Sequence, residues 1–461
     1  MIFRRIRDLA LLLPASLLVA IGFASVFAND GGQLSDLSLL YGAGFLGLCI
    51  VAHTIATVAL PDADPYLLPL IAVLACFGLV ELYRIDEDLA RQQGTWFIIG
   101  IVAFTATIYL LKKDYRVLKE YRNLLALAGV ILLLAPRLPG ISNPENGAYL
   151  SVAIGPLAFQ PTEVAKLCLV LYLASYLADN RQLLVQEARG PFGIFPPLKY
   201  LLPLLAVWGA TMMMLFFIQD IGSAIMYFGV GLAMLYLATG RLLYPIAGLS
   251  LFAVGARMLY ELRPTIQNRV DAWQDPFDPD TYERVGGSFQ LAQSLFSQAD
   301  GGFLGQGLGG SILQLSEKTA DGQLNLILPA AKNDFIYALI TNEVGLIGAV
   351  GLLLVYLLIV WRGFKVALVA HDSFSKLLAA GLATVFALQV FVIVGGVTKV
   401  IPLTGVTLPF VSAGGSSIVA NFVLLALLLL VSDRARRDTR EDLERAKSQQ
   451  NAWGPGAEAW R

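Results

Sequence analysis

The chain has 461 residues, 57% of them hydrophobic and only 15% charged. Soluble domains carry about 25% charged residues, so there is too little charge here to cover a water-facing surface, and a chain this apolar does not stay disordered. The 33 basic and 34 acidic residues nearly cancel, which excludes an overall polybasic nucleic-acid footprint. What remains is an all-α polytopic membrane protein.

A spanning helix needs about 20 mostly apolar residues. In chain order the sequence predicts spans at 9–28, 39–60, 66–83, 95–111, 123–138 and 161–178. They continue at 200–218, 221–239, 242–260, 335–361, 377–400 and 406–431. That makes about twelve transmembrane helices, the fifth being the shortest. Barrel strands would be short and alternating, and these runs are long and uniformly apolar.

Lys and Arg fall in alternate connections. They gather at Arg4, Arg5 and Arg7; at Lys112, Lys113, Arg116, Lys119 and Arg122; at Arg181, Arg189 and Lys199; at Arg362, Lys365 and Lys376; and at Arg434, Arg436, Arg437, Arg440, Arg445 and Lys447. Basic loops stay cytoplasmic, so both termini are predicted inside. The basic start precedes many further spans, which favours a retained helix over a cleaved signal. The connection 261–333 is far longer than its neighbours, lies outside, and is rich in aromatic and apolar residues. Loops of that length are functional or disordered, and the stretch Phe289 to Phe296 predicts an amphipathic helix at the outer leaflet. The charged tail after Ser432 predicts a short soluble helix.

Cys49, Cys76 and Cys168 sit in apolar runs, and their odd number argues for buried structural thiols. With only His53 and His371, no histidine metal site is visible.

The polar motifs collect at the outer ends of the spans. Ile327-Leu-Pro-Ala-Ala-Lys-Asn-Asp-Phe-Ile336 closes the long loop and opens the tenth span. Asn333 or Asp334 could cap that helix. Alternatively, Asp334 is a partly desolvated carboxylate with the basicity of a general base. Glu343 follows nine residues later, about 13 Å along the axis and on the opposite face. It suits either the polar site or an internal ion pair. Gln160-Pro-Thr-Glu-Val-Ala-Lys166 opens the sixth span with Pro161 in its first turn. Glu163 and Lys166 share a face, as an interfacial pair or as part of an outer polar cluster. Asp220 opens the eighth span, as a cap or a site residue. The run Gly301 to Gly310 contains G-x-G-x-x-G but lacks the βαβ setting of a dinucleotide site. It reads as close backbone approach or as a flexible loop. Lys399 to Ser417, with Pro409 and Gly414-Gly-Ser-Ser417, either packs tightly or breaks the last helix toward the site.

Taken together, these motifs resemble the SEDS family (the FtsW, RodA and SpoVE group), through Gln160 to Lys166, Asp220-Ile-Gly222, Leu328 to Ile336 and Pro402 to Ser417. The resemblance covers roughly 64–432 and is nearest the RodA-type branch of actinobacteria-like lineages. It implies three parts: an N-terminal helix pair (1–63), a ten-helix core (64–432) and a cytoplasmic tail (433–461). It also implies peptidoglycan glycosyltransfer in a bacterial plasma membrane. Lipid II is polymerised into β-1,4-linked strands with inversion, and undecaprenyl pyrophosphate is released. By the same resemblance Asp334 is the base that takes the acceptor hydroxyl proton. Lys332, Glu163, Lys166, Asp220, Glu343, Lys399 and Ser416 are substrate-binding residues. A divalent cation, Mg or Mn, would sit on the pyrophosphate, with no organic cofactor and no dedicated metal motif. A class B penicillin-binding protein is the expected partner. The chain departs from the family at Tyr149 and Ser151, where an arginine and a tryptophan are usual, and at Asn333, Asn342 and Ile393. Lys332, beside Asp334, is the candidate substitute for the missing arginine. A lipid-precursor flippase and a non-catalytic scaffold are the competing functions; a transporter would carry functional charges through the midplane to both sides.

Overall fold

The computed structural model describes residues 10–29, 36–137, 142–145, 148–154, 157–185, 198–217, 220–284, 288–311, 328 and 330–452. Twelve apolar helices form the body of the fold. They are α1 (Leu13–Asn29), α2 (Asp36–Ala59), α3 (Leu67–Ile85), α4 (Glu87–Leu111), α5 (Arg122–Leu134) and α6 (Pro161–Val185). Then come α7 (Leu198–Phe217), α8 (Ile221–Thr239) and α9 (Leu243–Leu262). Three short helices of the long loop follow: α10 (Pro264–Gln274), α11 (Pro279–Glu283) and α12 (Phe289–Gly301). The last three are α13 (Ile336–Val369), α14 (Ser373–Val397) and α15 (Gly415–Ala452). Among the described residues nine helices are long and apolar enough to cross a membrane; α1 and α7 contribute shorter apolar stretches, and α5 has 13 residues.

The expected all-α membrane fold holds, with three local differences. A small antiparallel sheet, β1 (Ser142–Glu145), β2 (Ala148–Ile154) and β3 (Leu157–Phe159), joins α5 to α6. Its strands are too short to register in a reading tuned to long apolar runs. The last helix begins at Gly415 rather than near residue 406. Residues 401–414 are irregular instead, with Phe410 at φ 65 and Gly405 at φ 78. The tail helix is not separate, because α15 runs on unbroken to Ala452.

At one end of the bundle the start of α3 is locked to α13 and α15. Asp64 takes Arg362 and Arg436, while Asp62 takes Arg440 at 2.7 Å. At the other end α13 is two helices joined at Gly345 (φ 66, ψ −175). A break inside a membrane frees backbone groups that must find partners. The glycine-rich run after α12 supplies them. Gln306 N donates to Asn342 O and Gly307 N to Glu343 O, both at 2.9 Å, and Leu346 N donates to Gly302 O at 2.9 Å. Of the two readings of that run, close backbone approach is the one observed. A Cβ on Gly305 would lie 2.1 Å from Glu343 O, and one on Gly345 would lie 2.3 Å from Gly305 N. Gly345→Ala therefore combines a glycine-only backbone with a backbone collision. It should cost about 3 kcal/mol, read as a lowered Tm of the detergent-solubilised protein; an unchanged Tm would contradict this packing.

Candidate active site

Asp334 sits on a short stretch of turns just ahead of α13. Its neighbours fix that stretch from both sides. Ala331 and Phe335 are fully buried anchors. Behind them, Ser412 Oγ donates to Asn333 O at 2.7 Å and Ala413 N donates to Lys332 O at 2.8 Å. Ser412 is itself held, since its Oγ accepts from Leu408 N at 2.9 Å and its carbonyl accepts from Gln93 of α4 at 3.2 Å. Phe410 stacks edge-on to Phe422, and Phe422 to Phe97, with centroids 5.3 and 5.1 Å apart. The bend that carries Asp334 thus rests on an aromatic core.

The Asp334 carboxylate is half-buried. It does not cap α13: the cap position is Phe335, and no side chain bonds there. A Cβ built on Gly405 would lie 3.7 Å from Asp334 Oδ2, so glycine lets that backbone approach the carboxylate. Burial pushes the Asp334 carboxyl up to about 6; the Arg269 guanidinium pulls it back down and the Asp220 carboxylate adds a further upward push.

Asp220 does cap its helix. Its Oδ1 accepts from Ser223 N at 2.9 Å, while its Oδ2 is buried without a hydrogen-bond partner among the described residues. Burial raises its pKa, and Glu163 adds to that rise against Ser223 and Arg269. Gly222 packs against Thr404, whose Oγ1 is also buried and unpartnered. Asp334, Asp220 and Glu163 are therefore one electrostatic chain, with Arg269 of α10 coupled to the first two. Arg269 makes no ion pair among the described residues. Burial lowers its pKa, opposed by Asp220 and Asp334.

The remaining predicted residues divide. Lys166 is buried and bonded to Glu163 at 2.5 Å, to Gln389 at 2.9 Å and to Asn421 at 3.4 Å, so the pair belongs to an internal polar cluster behind the site. Ser416 Oγ accepts from Gln160 N at 2.7 Å, joining the starts of α6 and α15. The carbonyl of Lys399, a residue at φ 62, accepts from Trp273 Nε1 at 3.0 Å, which ties it to the helix bearing Arg269. Lys332 has an exposed side chain without an ion pair among the described residues; the cation coupled to Asp334 is Arg269. Glu343 is not brought to Asp334. Its carboxylate pairs with Arg84 and accepts from Gly309 N at 2.9 Å and Ser311 Oγ at 2.7 Å. That is the internal ion pair, and it leaves Glu343 no free oxygen for substrate. Arg269, Thr404 and Gln389 were not among the predicted site residues, although Arg269 and Thr404 lie in segments that carry the family resemblance. For Arg269 a signal existed, because a basic residue in a loop expected to lie outside runs against the positive-inside pattern.

Four helices, α6, α8, α13 and α15, begin beside these groups. Helix N-termini carry partial positive charge and unpaired N–H groups, and with Arg269 they suit an anionic, phosphate-bearing ligand.

The model of the FtsW/RodA/SpoVE cell cycle proteins matches residues 65–437. The chain belongs to the FtsW/RodA/SpoVE family. The peptidoglycan glycosyltransferase RodA of Mycobacterium tuberculosis is 38% identical over 451 residues, 95% of this chain and 92% of the relative. Stage V sporulation protein E of Bacillus subtilis is 29% identical, covering 80% of this chain and 93% of its own. Among solved structures, one on the structural coordination of polymerization and crosslinking by a peptidoglycan synthase complex overlays with a TM-score of 0.63. It shares 25% identity and covers 80% of this chain and 97% of its own. RodA of Thermus thermophilus overlays with a TM-score of 0.55 at 24% identity, covering 80% of this chain and 96% of its own.

Proposed function

We propose that the chain is a peptidoglycan glycosyltransferase that polymerises lipid II into β-1,4-linked strands and releases undecaprenyl pyrophosphate. The observation that carries this reading is Asp334: a half-buried carboxylate with no capping duty, raised to about 6, beside one guanidinium and four helix starts. Asp334 takes the proton from the acceptor 4-hydroxyl as that oxygen attacks the anomeric carbon, with inversion. The glycosyl–phosphate bond breaks, and the negative charge gathers on the departing pyrophosphate. Arg269 and the helix N-termini stabilise that charge. Asp220 Oδ2 and Thr404 Oγ1, both buried without a hydrogen-bond partner among the described residues, are the acceptors that would orient sugar hydroxyls or amides.

Among the described residues no group of three His, Cys, Asp or Glu could hold a metal by itself. Magnesium-type ions bind through one or two carboxylates plus substrate phosphates, and the unpartnered Asp220 Oδ2 fits that pattern. Such an ion supplies charge neutralisation on the pyrophosphate. The site faces outward, both termini are cytoplasmic, and a class B penicillin-binding protein is the transpeptidase partner.

The test is polymerisation of lipid II by the purified full-length chain with that partner and Mg or Mn, read as glycan ladders. Absence of polymer from active-partner preparations would sink the reading. Within that assay Arg269→Ala should lower kcat/KM at least tenfold, since a charge-assisted bond contributes about 1.5–3 kcal/mol; an unchanged kcat/KM would remove Arg269 from the pyrophosphate.

A further inference from the structure

The N-terminal helices lie outside the residues matched by the family model, yet α1 reaches the loop that clamps α13. Ser25 Oγ donates to Leu308 O at 2.9 Å. One turn earlier α1 packs on the outer end of α3. A Cβ on Gly22 would lie 2.9 Å from both Val80 methyls, and Phe23 meets Tyr83 edge-on with centroids 5.1 Å apart. The next α3 side chain, Arg84, holds the far end of the same strap. It donates to Ser311 Oγ at 2.8 Å and to Ser311 O, and it pairs with Glu343. The strap from Gly302 to Ser311 is thus gripped by α1, by α3 and by the broken backbone of α13. Between the break at Gly345 and Asp334 lies a single short helical segment.

We infer that the N-terminal helix pair is a positioning element for the polymerase: α1, through Gly22, Phe23 and Ser25, holds the Gly302–Ser311 strap on the α13 break and so fixes where Asp334 is presented. Ser25 and Gly22 touch no reacting atom and act through the strap. The inference rests on the glycosyltransferase reading for its activity arm. A second arm, the mobility of the strap, does not depend on that reading.

The close approach at Gly22 makes it the lever. Gly22→Leu forces a branched side chain against Val80 and lifts α1 away. Ser25→Ala removes only the bond to Leu308, and Ser25→Thr keeps the hydroxyl. In each background a nitroxide on Leu304→Cys, an exposed strap position at 80% relative exposure, reports strap motion by electron paramagnetic resonance. Gly22→Leu should lower kcat about tenfold and Ser25→Ala about threefold. Both should leave KM unchanged and sharpen the nitroxide spectrum; Gly22→Leu should also lower Tm, Ser25→Ala should keep it, and Ser25→Thr should match the parent. If Gly22→Leu fails to accumulate, the Ser25 pair decides alone. A nitroxide spectrum unchanged in Ser25→Ala overturns the proposal, whatever the activity. So does a kcat loss accompanied by an equal loss in Ser25→Thr. A mobile strap with no polymerisation in any variant, parent included, would support the clamp and count against the glycosyltransferase reading instead.

Discussion

Asp334→Asn should abolish glycan polymerisation, lowering kcat by about 10³-fold, while the protein stays folded. General-base catalysis contributes roughly 10²–10⁴-fold, and asparagine keeps the shape while removing the basic lone pair. Replacing a half-buried carboxylate with an amide also removes a desolvation cost, so Tm should hold or rise. The pH dependence follows from the same group. Asp334 accepts a proton only when ionised, and burial raises its pKa to about 6. Activity should therefore fall tenfold per unit below that pH and level off above it. Arg269 opposes the rise, so Arg269→Ala should move the acid limb to higher pH. An acid limb near pH 4, or one insensitive to Arg269, would separate Asp334 from the chemistry.

Arg84→Leu should cost about 3–5 kcal/mol, since it strands the buried Glu343 carboxylate. Whole domains hold only about 5–15 kcal/mol, so little folded protein should accumulate. The double variant Arg84→Leu/Glu343→Leu removes both halves of the pair and should recover part of the loss, although the buried Glu81 still loses its nearby cation. Recovery stays partial because Gly309 N and Ser311 Oγ lose their acceptor. Fluorescence-detected size exclusion over a temperature ramp reads both. A Glu343→Gln protein with parental Tm but raised KM would reverse the assignment and put Glu343 on the substrate.

The helical skeleton was legible because bilayer thickness sets a length that the apolar runs must meet. Asp334 and Asp220 were legible because charge at the edge of an apolar run is rare and costly. What the sequence withheld was partnership. Nothing local says that Glu343 faces Arg84, or that the Gly301–Gly310 run closes on a break at Gly345. Those pairings join distant segments through backbone geometry rather than through periodicity. Arg269 was not assigned to the site for a related reason, since its importance comes from its coupling to two carboxylates, one carried by α8 and one by the approach to α13. The late start of α15 follows from residues 401–414, which spend their hydrogen bonds on Lys332, Asn333 and Gln389 instead of on a helical ladder. The sheet from Ser142 to Phe159 follows no long-range pattern and had no signal at that scale.

The shortness of α5 has a consequence for the surrounding lipid. Its 13 residues and the 3₁₀ turn Ala135–Arg137 that continues it rise about 25 Å, against a hydrocarbon core of about 30 Å. Its outward face, with Leu124, Leu127 and Ile131 exposed, meets acyl chains directly. The bilayer beside it must pinch or admit polar flanks. Lipids at that face would sit with their headgroups drawn slightly toward the midplane. A polyprenyl carrier arriving there would find its phosphates already lowered relative to the outer surface. The membrane's own elasticity, and not only the side chains, would then set the height at which a substrate is delivered.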